Sequence, residues 1–213
     1  AIKRWGEHMT VEEVMKVIEK DRKYYERSGG GMTVSGGDPL VQHEFTRELL
    51  KASREAGIHT CLESTFYADW DIIADTVQYA DLLISDVKHM DSEIHKKYTG
   101  MGCEQILDNL AHLAREGHEM ILRIPVIPGI NDDMENITRT ADFLESQIGS
   151  SLRTLQLLSF MRMGEEKCAS LGRPYEMKDL EFDREEFQKK VEGIADYFNS
   201  RGIHCVVGTK EKE

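Results

Sequence analysis

The chain reads as an α/β protein built on a parallel sheet, and three observations carry that reading. Strand-like apolar runs alternate with amphipathic helical segments about six times along the 213 residues. One junction recurs three times, as Arg54-Glu55-Ala56-Gly57-Ile58-His59, Arg115-Glu116-Gly117-His118 and Ser200-Arg201-Gly202-Ile203-His204. In each, a helix stops at a glycine and a strand starts within a residue or two. All four prolines (Pro39, Pro125, Pro128 and Pro174) fall in loops or at strand ends, which leaves the helices uninterrupted. With no linker and no low-complexity stretch, residues 1–213 are expected to form one domain. Residues 1–9 read as the tail of a preceding segment.

Taken in order, Thr10 opens a helix and Glu13 completes its capping box. Val11, Val14, Ile18 and Tyr25 mark one face at helical spacing. Ser28-Gly29-Gly30-Gly31 ends it, and the strand Met32-Thr33-Val34-Ser35 turns through Gly36-Gly37-Asp38-Pro39. The next helix is expected to bury Phe45, Leu49, Ala52 and Ala56 up to Gly57. Ile58 to Leu62 then forms a strand closing on Glu63-Ser64-Thr65. A helix from about Asp69 to Ala80 leads into the strand Asp81 to Ser85, which closes on Asp86-Val87-Lys88. A short polar helix spans Ser92 to Tyr98, and another, bearing Ile106, Leu110 and Leu113, stops at Gly117. The strand Met120 to Ile124 runs into Pro125-Val126-Ile127-Pro128-Gly129. Asn131 or Asp132 is expected to cap a helix carrying Ile137, Ala141, Leu144 and Ile148. Leu152 to Phe160 is a strand, followed by a long polar loop to about Asp183. The last helix buries Phe187, Val191, Ile194 and Phe198, and Ile203 to Val207 ends the sheet.

Composition removes several classes of function. A formal net charge of −12 argues against nucleic acid and anionic membrane as partners. No apolar run approaches the roughly 18 residues of a membrane span, and no signal-peptide core is present. A chain of this length buries roughly 70% of its unfolded surface, so disulfides are not needed. The four cysteines, Cys61, Cys103, Cys168 and Cys205, are scattered without a CxxC, which suits a reducing cytoplasmic compartment. There is no HxH or HExxH for a catalytic zinc and no Gly-x-Ser-x-Gly nucleophile elbow. GxGxxG is missing too, since the glycine triplet precedes its strand instead of following it.

The polar residues are placed more tellingly. Asp38, Glu63 with Ser64, Asp86 with Lys88, Arg123 and Ser159 all stand at or near C-terminal ends of strands, the rim where parallel α/β folds bind ligands. This mixture of carboxylates, glycine carbonyls and cations suits a zwitterion. Two charge-assisted hydrogen bonds of about 1.5–3 kcal/mol each reach only roughly millimolar affinity, so a further anchor is required. The plain alternative for Asp86 and Lys88 is a structural ion pair on one strand face.

Ser35-Gly36-Gly37-Asp38-Pro39 resembles the GGEP-type motif of radical S-adenosylmethionine enzymes. The resemblance continues, in order, through Asp86-Val87-Lys88-His89-Met90-Asp91, His95-Lys96-Lys97-Tyr98-Thr99-Gly100, Arg123-Ile124-Pro125-Val126-Ile127-Pro128-Gly129 and Leu157-Leu158-Ser159-Phe160. Over nearly its whole length the chain is similar to the glycyl-radical-enzyme activating enzymes, the group that contains pyruvate formate-lyase activase. That resemblance implies an incomplete (β/α)6 TIM-like barrel of parallel strands, here without its first strand. It implies S-adenosylmethionine and a [4Fe-4S] cluster as cofactors, a 5′-deoxyadenosyl radical, and a glycyl radical enzyme as protein partner. An electron donor such as flavodoxin or ferredoxin is implied as well.

Carried over by position, Gly36, Gly37 and Asp38 would receive the methionine ammonium with help from Glu63 and the adjoining Ser64. Asp86 and Lys88, with His89 beside them, would contact the ribose and the methionine carboxylate. Arg123 would stand at the same rim, and Pro125 to Ile127 would run beside the adenine. Met161 stands where members often carry a histidine near the ribose, Asp38 is one methylene shorter than the usual glutamate, and Glu63 replaces a common aspartate. The family's CxxxCxxC cluster loop is not in these 213 residues, so no metal ligand and no catalytic residue is assigned. The chain by itself is therefore expected to be inactive, and a missing first strand would leave Met32 to Ser35 as an open edge. Two other functions compete: a metal-independent lyase or aldolase using Lys88 as a Schiff-base amine, and a non-catalytic module that docks a partner.

Overall fold

The structure, a computed structural model, describes residues 6–163, 165–175 and 177–209; positions 1–5 of the expected leading tail lie outside the described residues. The chain falls into two compact units, residues 1–85 and 86–213.

In the first unit Thr10 caps helix α1 (Val11–Ile18), and the capping box with Glu13 is formed in both directions. A 3₁₀ turn, Glu19–Asp21, joins it to α2 (Arg22–Ser28), which ends on left-handed Gly29. Strand β1 (Gly31–Val34) follows. Gly31 is required there by packing, because a Cβ would lie 1.9 Å from the His59 carbonyl oxygen. After the Gly36-Gly37 turn, Asp38 caps a 3₁₀ turn, Pro39–Gln42, and α3 (His43–Glu55) continues it. Strand β2 (His59–Glu63), α4 (Trp70–Val77) and β3 (Leu82–Asp86, whose last residue belongs to the second unit) complete this part. β1 pairs with β2, and β2 with β3, both in parallel.

One expectation is corrected in α3. Its buried face is Thr46, Leu49, Leu50 and Ser53, not the set built on Phe45, Ala52 and Ala56. Thr46 and Ser53 are tolerated inside because their hydroxyls donate to partners, the Pro39 carbonyl at 2.9 Å and, across to α1, the Met15 sulfur at 3.2 Å.

The second unit holds α5 (Ser92–Thr99), α6 (Glu104–Arg115), β4 (Met120–Val126), α7 (Met134–Phe143) and β5 (Leu152–Ser159). A π-helical turn, Leu144–Ile148, extends α7. The expected long loop contains α8 (Glu165–Ser170); α9 (Arg184–Ser200) and β6 (Cys205–Val207) close the chain. β4, β5 and β6 pair in parallel. β4 alternates strictly, with Met120, Leu122, Ile124 and Val126 buried and Ile121, Arg123 and Pro125 on the other face.

The three glycine junctions fold alike. Ile58, His118 and Ile203 each donate a backbone hydrogen bond five residues back, to Ser53, Leu113 and Phe198, at 3.0–3.1 Å. Gly57, Gly117 and Gly202 supply the positive φ (72, 82 and 79°) that this Schellman geometry requires. Among the described residues, strand order in the six-stranded sheet follows chain order, β1 to β6, with β1 first in that order.

Candidate functional site

In the first unit the turn after β1 is built around Asp38. Gly36 and Gly37 are exposed with φ of 89 and 57°, and no heavy atom lies within 4 Å of where a side chain would begin. Asp38 Oδ1 accepts from the Ser64 hydroxyl at 2.8 Å and from the Leu40 amide at 3.1 Å. Its Oδ2 accepts from the Thr65 amide at 3.0 Å and the Thr65 hydroxyl at 2.5 Å. Four donors from its own chain therefore occupy this carboxylate. Ser64, only 5% exposed, also accepts from the Phe66 amide at 3.0 Å, which helps hold Phe66 at its positive φ of 54°. Asp38 and Ser64 thus join the β1 turn to the end of β2. Glu63 is half-buried one residue before Ser64, and the glycine backbone of this turn remains open to a ligand.

In the second unit Asp86 and Lys88 form the ion pair that the spacing allowed, Nζ to Oδ2 at 2.9 Å, each side chain about one third exposed (33 and 35%). Such a surface pair is weakly held and can exchange partners with a bound ion. His89 is 6% exposed; its Nδ1 accepts from the Asp91 amide at 2.9 Å, which places the proton of a neutral ring on Nε2. That Nε2 is buried without a hydrogen-bond partner among the described residues. Asp91 also caps α5, and the backbone amide of Ile94 chiefly holds its carboxyl below the usual carboxylate range.

The loop after β4 is tied down by amides that the sequence reading assigned otherwise. Asn131, 2% exposed, donates from Nδ2 to the Lys88 carbonyl (2.9 Å) and the Pro125 carbonyl (2.8 Å), and accepts from the Ile127 amide (2.7 Å). Asp132 accepts from the Gly129 amide and from Lys190 at 2.6 Å. Neither caps α7; Asp133 does, through the Asn136 amide at 2.9 Å. Arg123 leans along the sheet, its Nε donating to Gln156 at 3.1 Å, and the Ser159 hydroxyl donates to Gln188 at 2.8 Å. Met161, 54% exposed, lines a groove of about 580 Å³ with Phe160, Arg162, Leu180, Phe182 and Arg184.

Taken unit by unit, these groups suit in kind parts that S-adenosylmethionine carries: in the second unit an ammonium that can meet a carboxylate, and in the first an open glycine backbone that can meet an amine. They do not fit an iron–sulfur cluster. Among the described residues no group of three or more His, Cys, Asp or Glu could hold a metal ion. Cys61, Cys103 and Cys205 are buried free thiols on separate elements, and burial pushes Cys205 up to about 12. A thiolate is therefore disfavoured at that position.

A parallel sheet alternating with helices defines an α/β fold, and comparison with known proteins says which. Residues 1–141 match the family described as the Radical SAM superfamily, and the chain belongs to that superfamily and, within it, to the activating enzymes of glycyl radical enzymes. It is 59% identical over 212 residues to the (2S)-3-sulfopropanediol dehydratase activating enzyme of Klebsiella oxytoca, covering 100% of this chain and 67% of that protein. It is 38% identical over 211 residues to the 4-hydroxyphenylacetate decarboxylase activating enzyme of Clostridioides difficile (strain CD196), covering 98% and 64%. The chain thus spans about two thirds of the length of these relatives. Among solved structures, a domain of pyruvate-formate lyase-activating enzyme from Bacteroides vulgatus ATCC 8482 superposes with a TM-score of 0.67 at 29% identity, over 84% of this chain and 99% of that one. Streptococcus suis SuiB bound to S-adenosylmethionine shares the fold, with a TM-score of 0.72 at 14% identity over 97% of this chain and 45% of that one.

Proposed function

We propose that the protein installs a glycyl radical on a partner enzyme. The reading is carried by the 59% identity to an activating enzyme along the entire chain. S-adenosylmethionine and a [4Fe-4S] cluster, for which the described residues supply no ligand set, would provide the radical chemistry of hydrogen abstraction. The cysteines of this chain take no part in holding that cluster. Its own residues bind and orient: Lys88 exchanges its Asp86 partner for the methionine carboxylate, and Asp86 turns to the ribose. The carbonyls of the Gly36-Gly37 turn, fixed by Asp38 and joined by Glu63, meet the ammonium. His89 offers its N–H, Arg123 sits at the rim, and Pro125 to Ile127 flank the adenine. Met161 takes the place near the ribose where members of the family often carry a histidine.

The partner follows from the same likeness. An enzyme of the (2S)-3-sulfopropanediol dehydratase kind is its substrate protein, and a flavodoxin or ferredoxin delivers the electron. The test is electron paramagnetic resonance on the full-length gene product, reconstituted with iron and sulfide and mixed with that dehydratase and S-adenosylmethionine. A glycyl doublet is expected; its absence with the dehydratase, and its appearance with a 4-hydroxyphenylacetate decarboxylase, would reassign the partner. The Schiff-base reading of Lys88 is not supported, because an ammonium paired with Asp86 at 2.9 Å is not a nucleophile. No helix among the described residues is long and apolar enough to cross a membrane.

A further inference from the structure

Within the second unit, the main-chain pairing of Val87 with the end of β4 should fail at one defined place. Val87 donates its amide to the Arg123 carbonyl at 2.8 Å. In a parallel ladder the next bond returns from the amide of residue 125 to the Val87 carbonyl. Residue 125 is proline and has no such proton. Lys88 is the next residue, so the backbone that carries its side chain leaves the ladder just where the proposed ligand site begins.

Asn131 spans that gap. Its carboxamide donates both of its protons across it, one to Lys88 and one to Pro125, and its oxygen takes the Ile127 amide. The group is itself fixed from behind. Asn136 donates to the Asn131 carbonyl at 3.1 Å and accepts from Met90 at 2.9 Å, while Arg139 donates to the Met90 carbonyl at 2.7 Å. At 2% exposure Asn131 touches no solvent-borne ligand, and everything it does passes through the backbone it holds.

We propose that Asn131 is a positioning residue for S-adenosylmethionine recognition, acting by fixing the Lys88 backbone against the Pro125 to Ile127 segment. This rests on the reading of Lys88 as the carboxylate ligand given above. A side chain that only stabilised the fold would change ligand affinity equally whether or not Lys88 were present. A side chain that aims Lys88 would lose its effect once Lys88 is gone.

The experiment is a double-mutant cycle on the full-length gene product, reading S-adenosylmethionine dissociation constants by calorimetry and melting temperatures alongside. K88M is expected to weaken binding about tenfold or more. N131A should weaken it about tenfold in the parent and less than about twofold in the K88M background, the non-additivity of coupled neighbours. Should N131A fail to fold, N131D enters the same cycle, since it keeps the acceptor for Ile127 and loses both donors. An unchanged affinity in the Asn131 variant, or an equal loss in both backgrounds, overturns the proposal while leaving the Lys88 reading intact. An unchanged affinity in K88M overturns both.

Discussion

By position in the sequence, Asp38 was expected to receive the methionine ammonium together with Gly36 and Gly37. Its oxygens instead take four donors from its own chain, two of them from Thr65. Replacing it by alanine strands the Ser64 hydroxyl and the Thr65 amide, and D38A should lower the unfolding free energy by about 1.5–3 kcal/mol in urea titrations. His118 provides a pH test. Burial chiefly lowers its pKa from the ordinary 6.5, against a weaker opposing pull from Glu116. The unfolded chain therefore takes up the proton first as pH falls. The stability this residue contributes is full above about pH 6.5 and declines below it. The slope of unfolding free energy between pH 7 and 5 should be shallower in H118F than in the parent.

At the scale of elements, most of what the sequence showed came from periodicity and glycine. The capping box at Thr10, the three glycine-ended helices and all six strands could be read because each depends on residues near in sequence. The α3 face could not, because it is set by buried hydroxyls that a search for apolar residues passes over. The cap of α7 was misread for a related reason. Asn131, Asp132 and Asp133 are all able to cap, and tertiary demands take the first two, one for the break at Pro125 and one for Lys190. Of the candidate site, the pairing of Asp86 with Lys88 was offered by the sequence only as the alternative to ligand contact, whereas the carboxamide behind Lys88 was not legible at all, since its partners are main-chain atoms. Gly31 carries the element-scale prediction. With the His59 carbonyl 1.9 Å from a would-be Cβ, G31A must push β1 away from β2. It should cost about 1–3 kcal/mol by thermal or chemical denaturation.

For the molecule as a whole, the thiols tell against metal. Three of the four cysteines are buried, and the described residues offer no metal-binding group of three or more. The 213-residue chain, reconstituted anaerobically with iron and sulfide, should therefore take up far less than one cluster per chain by iron analysis. Stoichiometric incorporation would show that ligands come from elsewhere in these residues than the geometry allows.

Strand β1 ends the sheet with only β2 beside it among the described residues. With no second strand beside it among the described residues, its outer edge can pair with an extended polypeptide that comes alongside. Concentrated solutions of this chain should thus thicken through side-by-side zipping at that border, and a peptide clipped onto it would keep the molecules apart.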